Sequence, residues 1–215
     1  MKLSLGARAY VDVNLIAPQA ANFSALLSHI RSQIPAKPFD LLGFSMGGYA
    51  ALALALEGVL PIRRLILINS RAGDDEDHEV DMRARTLRLL ANSKVRFEGM
   101  SRHLFRSLVG PDHQDDHLLF TQVQAMAQAV GRRATAAQIR ANQTRPDMRA
   151  RLGELNLPTL IIGGELDTLT PPRHAKNLHQ GIKGSQVHIL PGCGHLSPLE
   201  RPVEVAALVE RFLAD

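Results

Sequence analysis

The sequence predicts an α/β domain: a mostly parallel sheet of about five strands flanked by helices and interrupted by a helical insertion. Three observations predict it. Short apolar runs alternate with helix-period segments at both ends of the chain. Those runs are apolar throughout rather than alternating, as in strands covered on both faces. Strand signals then stop between Ile68 and Thr159, where the pattern becomes helical. The expected division is a core at 1–71 and 153–215 with a helical cap at 72–152. A chain of 215 residues can bury a core without disulfides, and its one cysteine, Cys193, excludes an internal bridge.

Taken in order, Ala9-Tyr10-Val11-Asp12-Val13 reads as a short strand. Phe23, Leu26, Leu27, Ile30 and Ile34 share one face of a helix that Pro35 stops. Phe39–Phe44 is an apolar strand entering a glycine turn, and Tyr49–Leu56 is a nearly all-apolar helix suited to burial against a sheet. Leu65–Ile68 is a strand. In the insertion, Leu104, Phe105, Leu108 and Val109 form one helical stripe, and Leu119, Val123, Met126, Ala127 and Val130 another. The i,i+4 pairs Glu79–Arg83 and Asp81–Arg85 support a further helix. Thr159–Ile162 and Val187–Leu190 are strands ending in glycine turns. A closing helix from Pro202 places Val205, Leu208, Val209 and Phe212 on one face.

Composition narrows the function. The 25 Lys+Arg against 21 Asp+Glu leave a net charge of +4, but the arginines are interleaved with Asp, Glu and Gln and aromatics are only 4%. Solvated helix faces are therefore expected rather than a nucleic-acid surface, with a docking surface for an acidic partner or substrate as the alternative. The longest apolar stretch, Tyr49–Leu56, is far short of the ~20 residues of a membrane span. Met1–Gly6 has a lysine but no sustained apolar region behind it, so no secretory leader and a cytoplasmic location are expected.

Gly43-Phe44-Ser45-Met46-Gly47-Gly48 is the sharpest feature. It joins an apolar strand to an apolar helix. A serine on such a turn has a strained backbone, so its neighbours two positions away must be small, and helix amides point at the reacting centre. A serine hydroxyl needs a base, and the base needs a carboxylate to orient it. Asp167 follows the Thr159–Ile162 strand and His195 follows Val187–Leu190. In a parallel sheet, Ser45, Asp167 and His195 then meet at the carboxyl edge, where ligands bind.

These residues resemble the α/β-hydrolase superfamily. The Gly-Phe-Ser-Met-Gly-Gly form, the helical insertion and the Gly194-His195-Leu196…Glu200-Arg201-Pro202 ending are similar to cofactor-free esterases related to carrier-protein methyl-ester hydrolases and enol-lactonases. The resemblance implies Ser45 as nucleophile, His195 as base, Asp167 as acid and the Met46 amide as an oxyanion donor, with no cofactor and no metal. Phe44 and Met46 are candidates for the pocket floor. The expected substrate is a small or medium ester, thioester or lactone, free or carrier-bound.

The N-terminal part departs from that family. Gly6 is the only glycine before Gly43, so the glycine loop that supplies the second oxyanion amide has no counterpart. Either Ala9–Val13 occupies the slot beside the elbow strand, with amides near Asn14 and Leu15 standing in, or the chain is a shortened form of a longer ancestor. An exposed strand there would favour a homodimer. Perhydrolysis or acyl transfer on the same triad, and a binding protein with a degenerate site, are the alternative functions.

Other residues weigh less. Asp74 and Asp75 follow the Ile68 strand, where some relatives carry the acid, but their crowding with Glu76 and Asp77 suits a solvated helix start. His113 and His117, on one helix face among Asp112, Asp115 and Asp116, suggest a metal, yet lack an evident third ligand. Cys193 is expected to be a packed residue, because thiol attack would leave the serine turn unexplained.

Overall fold

The computed structural model describes residues 11–214, and among them a four-stranded parallel sheet runs in chain order. The elements are α1 (Phe23–Arg31), β1 (Phe39–Phe44), α2 (Met46–Glu57), β2 (Ile62–Ile68), α3 (Asp77–Ala91), α4 (Arg102–Leu108), α5 (His117–Gln143), β3 (Thr159–Gly164), α6 (Pro172–Gly181), β4 (Gln186–Leu190), α7 (Ser197–Glu200) and α8 (Pro202–Ala214), with 3₁₀ turns at Pro111–His113 and Arg149–Glu154. The fifth expected strand is corrected: Val11–Val13 has no strand pairing, while Ala9 and Tyr10 lie outside the described residues. Their hydrophobic pattern alone gave no partner for the backbone.

Both faces of the sheet are covered, which accounts for the uniformly apolar strands. Leu65, Leu67 and Ile161 face a cluster with Leu26, Leu52, Leu54 and Leu178. Ile66, Ile68, Leu160 and Ile162 point the other way, onto Val205, Val209 and Phe212 of α8. Helix α2 is buried from Gly48 through Leu56, so its lack of a polar face reflects neighbours on every side. A third cluster, Phe105, Leu108, Val109, Leu119, Val123 and Leu196, ties the helical segment between β2 and β3 to the loop after β4.

That segment holds α3, α4 and α5. Gly131 has φ 76° and ψ 163°, so α5 is in effect two helices meeting at a kink. Glu76 and Glu79 form a reciprocal capping box at the start of α3. The expected Glu79–Arg83 pairing is replaced: Glu79 bonds Arg71 and Arg83 bonds Asp75. Burial favoured partners outside the helix over the weaker same-face pair. Nor do His113 and His117 share a helix face. His113 closes the 3₁₀ turn, its Nδ1 3.6 Å from Asp116, whereas His117 opens α5 beside Arg102.

Strand register positions the carboxyl edge. Phe44 pairs with Ile68, Ile68 with Ile162, and Gly164 with Leu190. Beyond those rungs the loops continue the ladder: Ser45 N–H donates to Ile68 O at 2.9 Å, Asn69 N–H to Ile162 O at 2.8 Å and Glu165 N–H to Leu190 O at 3.0 Å. Each loop therefore leaves the sheet at a fixed height.

Candidate active site

Ser45 sits between β1 and α2 with φ 52° and ψ −118°, a conformation that non-glycine residues rarely hold and that costs about 1–3 kcal/mol. Its surroundings enforce it. A Cβ on Gly43 would lie 2.3 Å from Gly47 O, and one on Gly48 would lie 2.6 Å from Ser70 Cβ. At Gly47 a Cβ would meet only Leu15 Cδ2, at an ordinary 3.6 Å. The requirement for a small residue on the helix side thus falls at Gly48, one position later than expected. Ser70 Oγ donates to Ser45 O at 3.0 Å and clamps the turn from β2.

The three predicted residues meet. Ser45 Oγ is 2.9 Å from His195 Nε2, and His195 Nδ1 is 2.8 Å from Asp167 Oδ2. Asp167 and His195 are buried, and Ser45 is half-buried at the cavity. Asp167 also accepts from the amides of Leu169 and Thr170 at 2.8 Å and from Thr170 Oγ1 at 2.5 Å. Burial pushes its carboxyl up, but the hydrogen bond and charge of His195, with the Thr170 bonds, outweigh that and bring it down to about 2. The His195 backbone is anchored as well, its main-chain N–H donating to Leu108 O at 2.7 Å.

Two supporting residues escaped the sequence reading. Asn69, with φ 44°, donates from Nδ2 to Asp167 Oδ2 at 2.8 Å and to Gly194 O at 3.3 Å, and accepts from Ser197 Oγ. A lone Asn after a strand carries no signal of this; only its place at the carboxyl edge does. Glu200 accepts from the amides of Gly110 and Gly194 at 2.7 and 3.0 Å, joining the His195 loop to the end of α4.

A cavity of about 360 Å³ opens beside Ser45, with Met46, Tyr49, Thr170 and His195 in its lining. Phe44 is not among the lining residues; its ring packs 5.3 Å from the His195 imidazole. Asp75 overturns the expectation of a solvated helix start, since its side chain is 5% exposed and salt-bridged to three arginines. Of the suggested stand-in amides, that of Asn14 already donates to Gln33 Oε1 at 2.9 Å. Cys193 is fully buried, and burial first, then Glu200, pushes its thiol up to about 12, so it is a packed side chain and no nucleophile. No described helix is long and apolar enough to cross a membrane.

A family model described as "Alpha/beta hydrolase family" matches residues 5–208. Among curated proteins, a pimeloyl-[acyl-carrier protein] methyl ester esterase of Neisseria meningitidis serogroup B is 29% identical over 199 residues, covering 89% of this chain and 75% of that protein. A 2-hydroxy-6-oxononadienedioate/2-hydroxy-6-oxononatrienedioate hydrolase of Pseudomonas putida is 29% identical over 178 residues, 80% of this chain and 62% of that one. Among solved structures, a malate-bound thermophilic esterase from Thermogutta terrifontis superposes with a TM-score of 0.78 at 25% identity, covering 92% of this chain and 74% of that chain. A hydrolase from Pseudomonas aeruginosa PA01 gives 0.78 at 26% identity, covering 93% and 74%.

Proposed function

Because the chain belongs to the alpha/beta hydrolase family, we propose that it cleaves a small or medium carboxylic ester, thioester or lactone through an acyl-enzyme on Ser45. The observation that carries this reading is the continuous hydrogen-bond chain from Ser45 Oγ through the His195 ring to Asp167. Among the relatives, the Neisseria protein's name specifies an acyl-carrier-protein ester, so a carrier-bound acyl group lies within the proposed class.

In the proposed reaction His195 Nε2 takes the Ser45 proton as Oγ attacks the carbonyl carbon. Asp167 keeps the proton of His195 on Nδ1, so that Nε2 is free to act as base, and its negative charge stabilises the imidazolium that forms. The Met46 amide, at the first position of α2, has no partner within the helix and aims at the developing oxyanion. The imidazolium then protonates the leaving group. Water, deprotonated by His195, attacks the acyl-enzyme, and Ser45 recovers its proton as the acid departs. The helical stretch at 72–152 serves as the cap, contributing Met82, Met100, Leu104 and Leu108 to the cavity.

A fluorophosphonate probe with mass-spectrometric mapping tests the reading. Ser45 is expected to be modified in the wild-type protein and unmodified in His195→Ala. Folded wild-type protein that stays unlabelled, or labelling that survives His195→Ala at the same rate, would overturn it.

A further inference from the structure

The cavity beside Ser45 has an apolar wall, Met100, Leu104, Leu108 and Leu169, and a charged wall that the triad does not use. The charged wall is a single network. Asp75 Oδ1 accepts from Arg71 Nη2 at 3.0 Å and from Arg145 Nη2 at 2.6 Å, while Asp75 Oδ2 accepts from Arg83 Nε at 2.6 Å. Glu79 Oε2 accepts from Arg71 Nη2 at 2.8 Å. Arg71, Arg83, Arg145 and Glu79 all line the cavity, and Tyr49 beside them has the Arg145 guanidinium 4.8 Å over its ring.

Three guanidinium groups here face two carboxylates, which leaves one positive charge in excess. The arginine side chains are only 4%, 17% and 6% exposed in the order Arg71, Arg83, Arg145. The acids next in line, Asp74 and Asp147, are exposed and already lie on Arg149. Donors are in excess as well. A guanidinium offers five N–H groups, yet among the described residues Arg71 uses only Nη2 and Arg83 only Nε in these bonds, and the buried Arg145 Nε has no partner. A buried charge without its counter-charge is costly, and an anion that reaches it through the cavity relieves that cost.

We infer that the cavity takes an ester that carries a carboxylate on the arm lying along this wall, and that the carboxylate completes the Arg71–Arg83–Arg145 network. The inference rests on the hydrolase reading for the ester; the anion site rests on the charge and donor count alone. Arg71 connects the two, since it follows Ser70, the residue clamping the Ser45 turn. Uncharged esters of the same length fit the apolar wall but leave the cation unmatched.

The test separates binding from turnover. Ser45→Ala protein is titrated calorimetrically with monomethyl succinate, glutarate and adipate, with O-acetyl glycolate to charge the alcohol arm instead, and with uncharged methyl esters of matched length. At least one carboxylate ester should bind roughly tenfold or more tightly than its uncharged match, the size of one charge-assisted hydrogen bond. The margin should shrink when Arg83→Gln or Arg145→Lys is added, and wild-type kcat/KM should rank the same esters in the same order. Equal affinity, or preference for the uncharged esters, overturns the inference even if Ser45 labels normally. Carboxylate preference in a protein whose Ser45 never labels supports the anion site while the hydrolase reading falls. Should the arginine variants fail to fold, the charged-to-uncharged margin in the Ser45→Ala protein decides.

Discussion

Asn69 Nδ2 lies 2.8 Å from Asp167 Oδ2, so the residue just past β2 holds the carboxylate that follows β3. Two neighbouring strand ends thereby fix one side chain, and that side chain orients His195. Asn69→Ala is expected to lower kcat about tenfold with little change in KM, because the substrate cavity does not include it. Asn69→Asp should be worse than Ala in both kcat and thermal midpoint, since it sets a second carboxylate against Asp167 in a buried site. Steady-state kinetics and thermal unfolding of the two variants check this.

Asp167 gives a prediction on acid stability. Its carboxyl is brought down to about 2 in the fold, below the ordinary 3.8. The ionised group therefore stabilises the protein above about pH 4, and that contribution is lost as pH falls from about 4 to about 2. The size is about 2 kcal/mol. Denaturant unfolding of wild type and Asp167→Asn should show the gap between them closing over that window. At neutral pH, Asp167→Asn should lower turnover by about 10³–10⁴ through the wrong imidazole tautomer.

The turn at Ser45 leaves no room at Gly43, where an added Cβ would stand 2.3 Å from backbone Gly47 O and 2.5 Å from Gly48 Cα. Gly43→Ala should cost about 2–4 kcal/mol and lower the thermal midpoint by roughly 5–15 °C in a chain of this size. Gly47→Ala, facing only Leu15 Cδ2 at 3.6 Å, should be far milder. Differential scanning calorimetry of the pair separates the two positions.

Asp75→Asn should destabilise by about 3–5 kcal/mol, because it withdraws the counter-charge from Arg71, Arg83 and Arg145 together. Asp74→Asn, at an exposed site 3.8 Å from Arg149, should change stability by less than about 0.5 kcal/mol. Urea midpoints measure both.

Much of the site was legible in the sequence because chain-local rules fix it. Gly43 and Gly47 flank a serine at a strand-to-helix junction, which announced the turn, although the crowded position on the helix side is Gly48. Asp167 and His195 each lie just past a strand, and parallel strands with matched register deliver their ends to one edge. Apolar runs without alternation announced a sheet covered on both faces, and the Leu65, Ile66, Leu67, Ile68 run divides between the two cores accordingly.

What misled was everything that depends on distant partners. Asp75 in a run of acids reads as solvated, yet Arg145, seventy residues on, buries it. Val11–Val13 has a strand's composition but no pairing edge in the described fold. Phe44 beside Ser45 reads as pocket floor, but a strand's side chains alternate, and its ring packs 5.3 Å from the His195 imidazole.

The sequence by itself determined the fold class, the serine turn and the chain order Ser45, Asp167, His195 of the residues that meet at the carboxyl edge, because strand period, glycine sterics and loop placement act over a few residues. Only the tertiary structure decided that Asn69 and Glu200 hold the loops carrying Asp167 and His195 and that three arginines line the cavity wall. Hydrogen bonds and charge pairs depend on distance and burial, which chain folding sets between residues far apart in sequence.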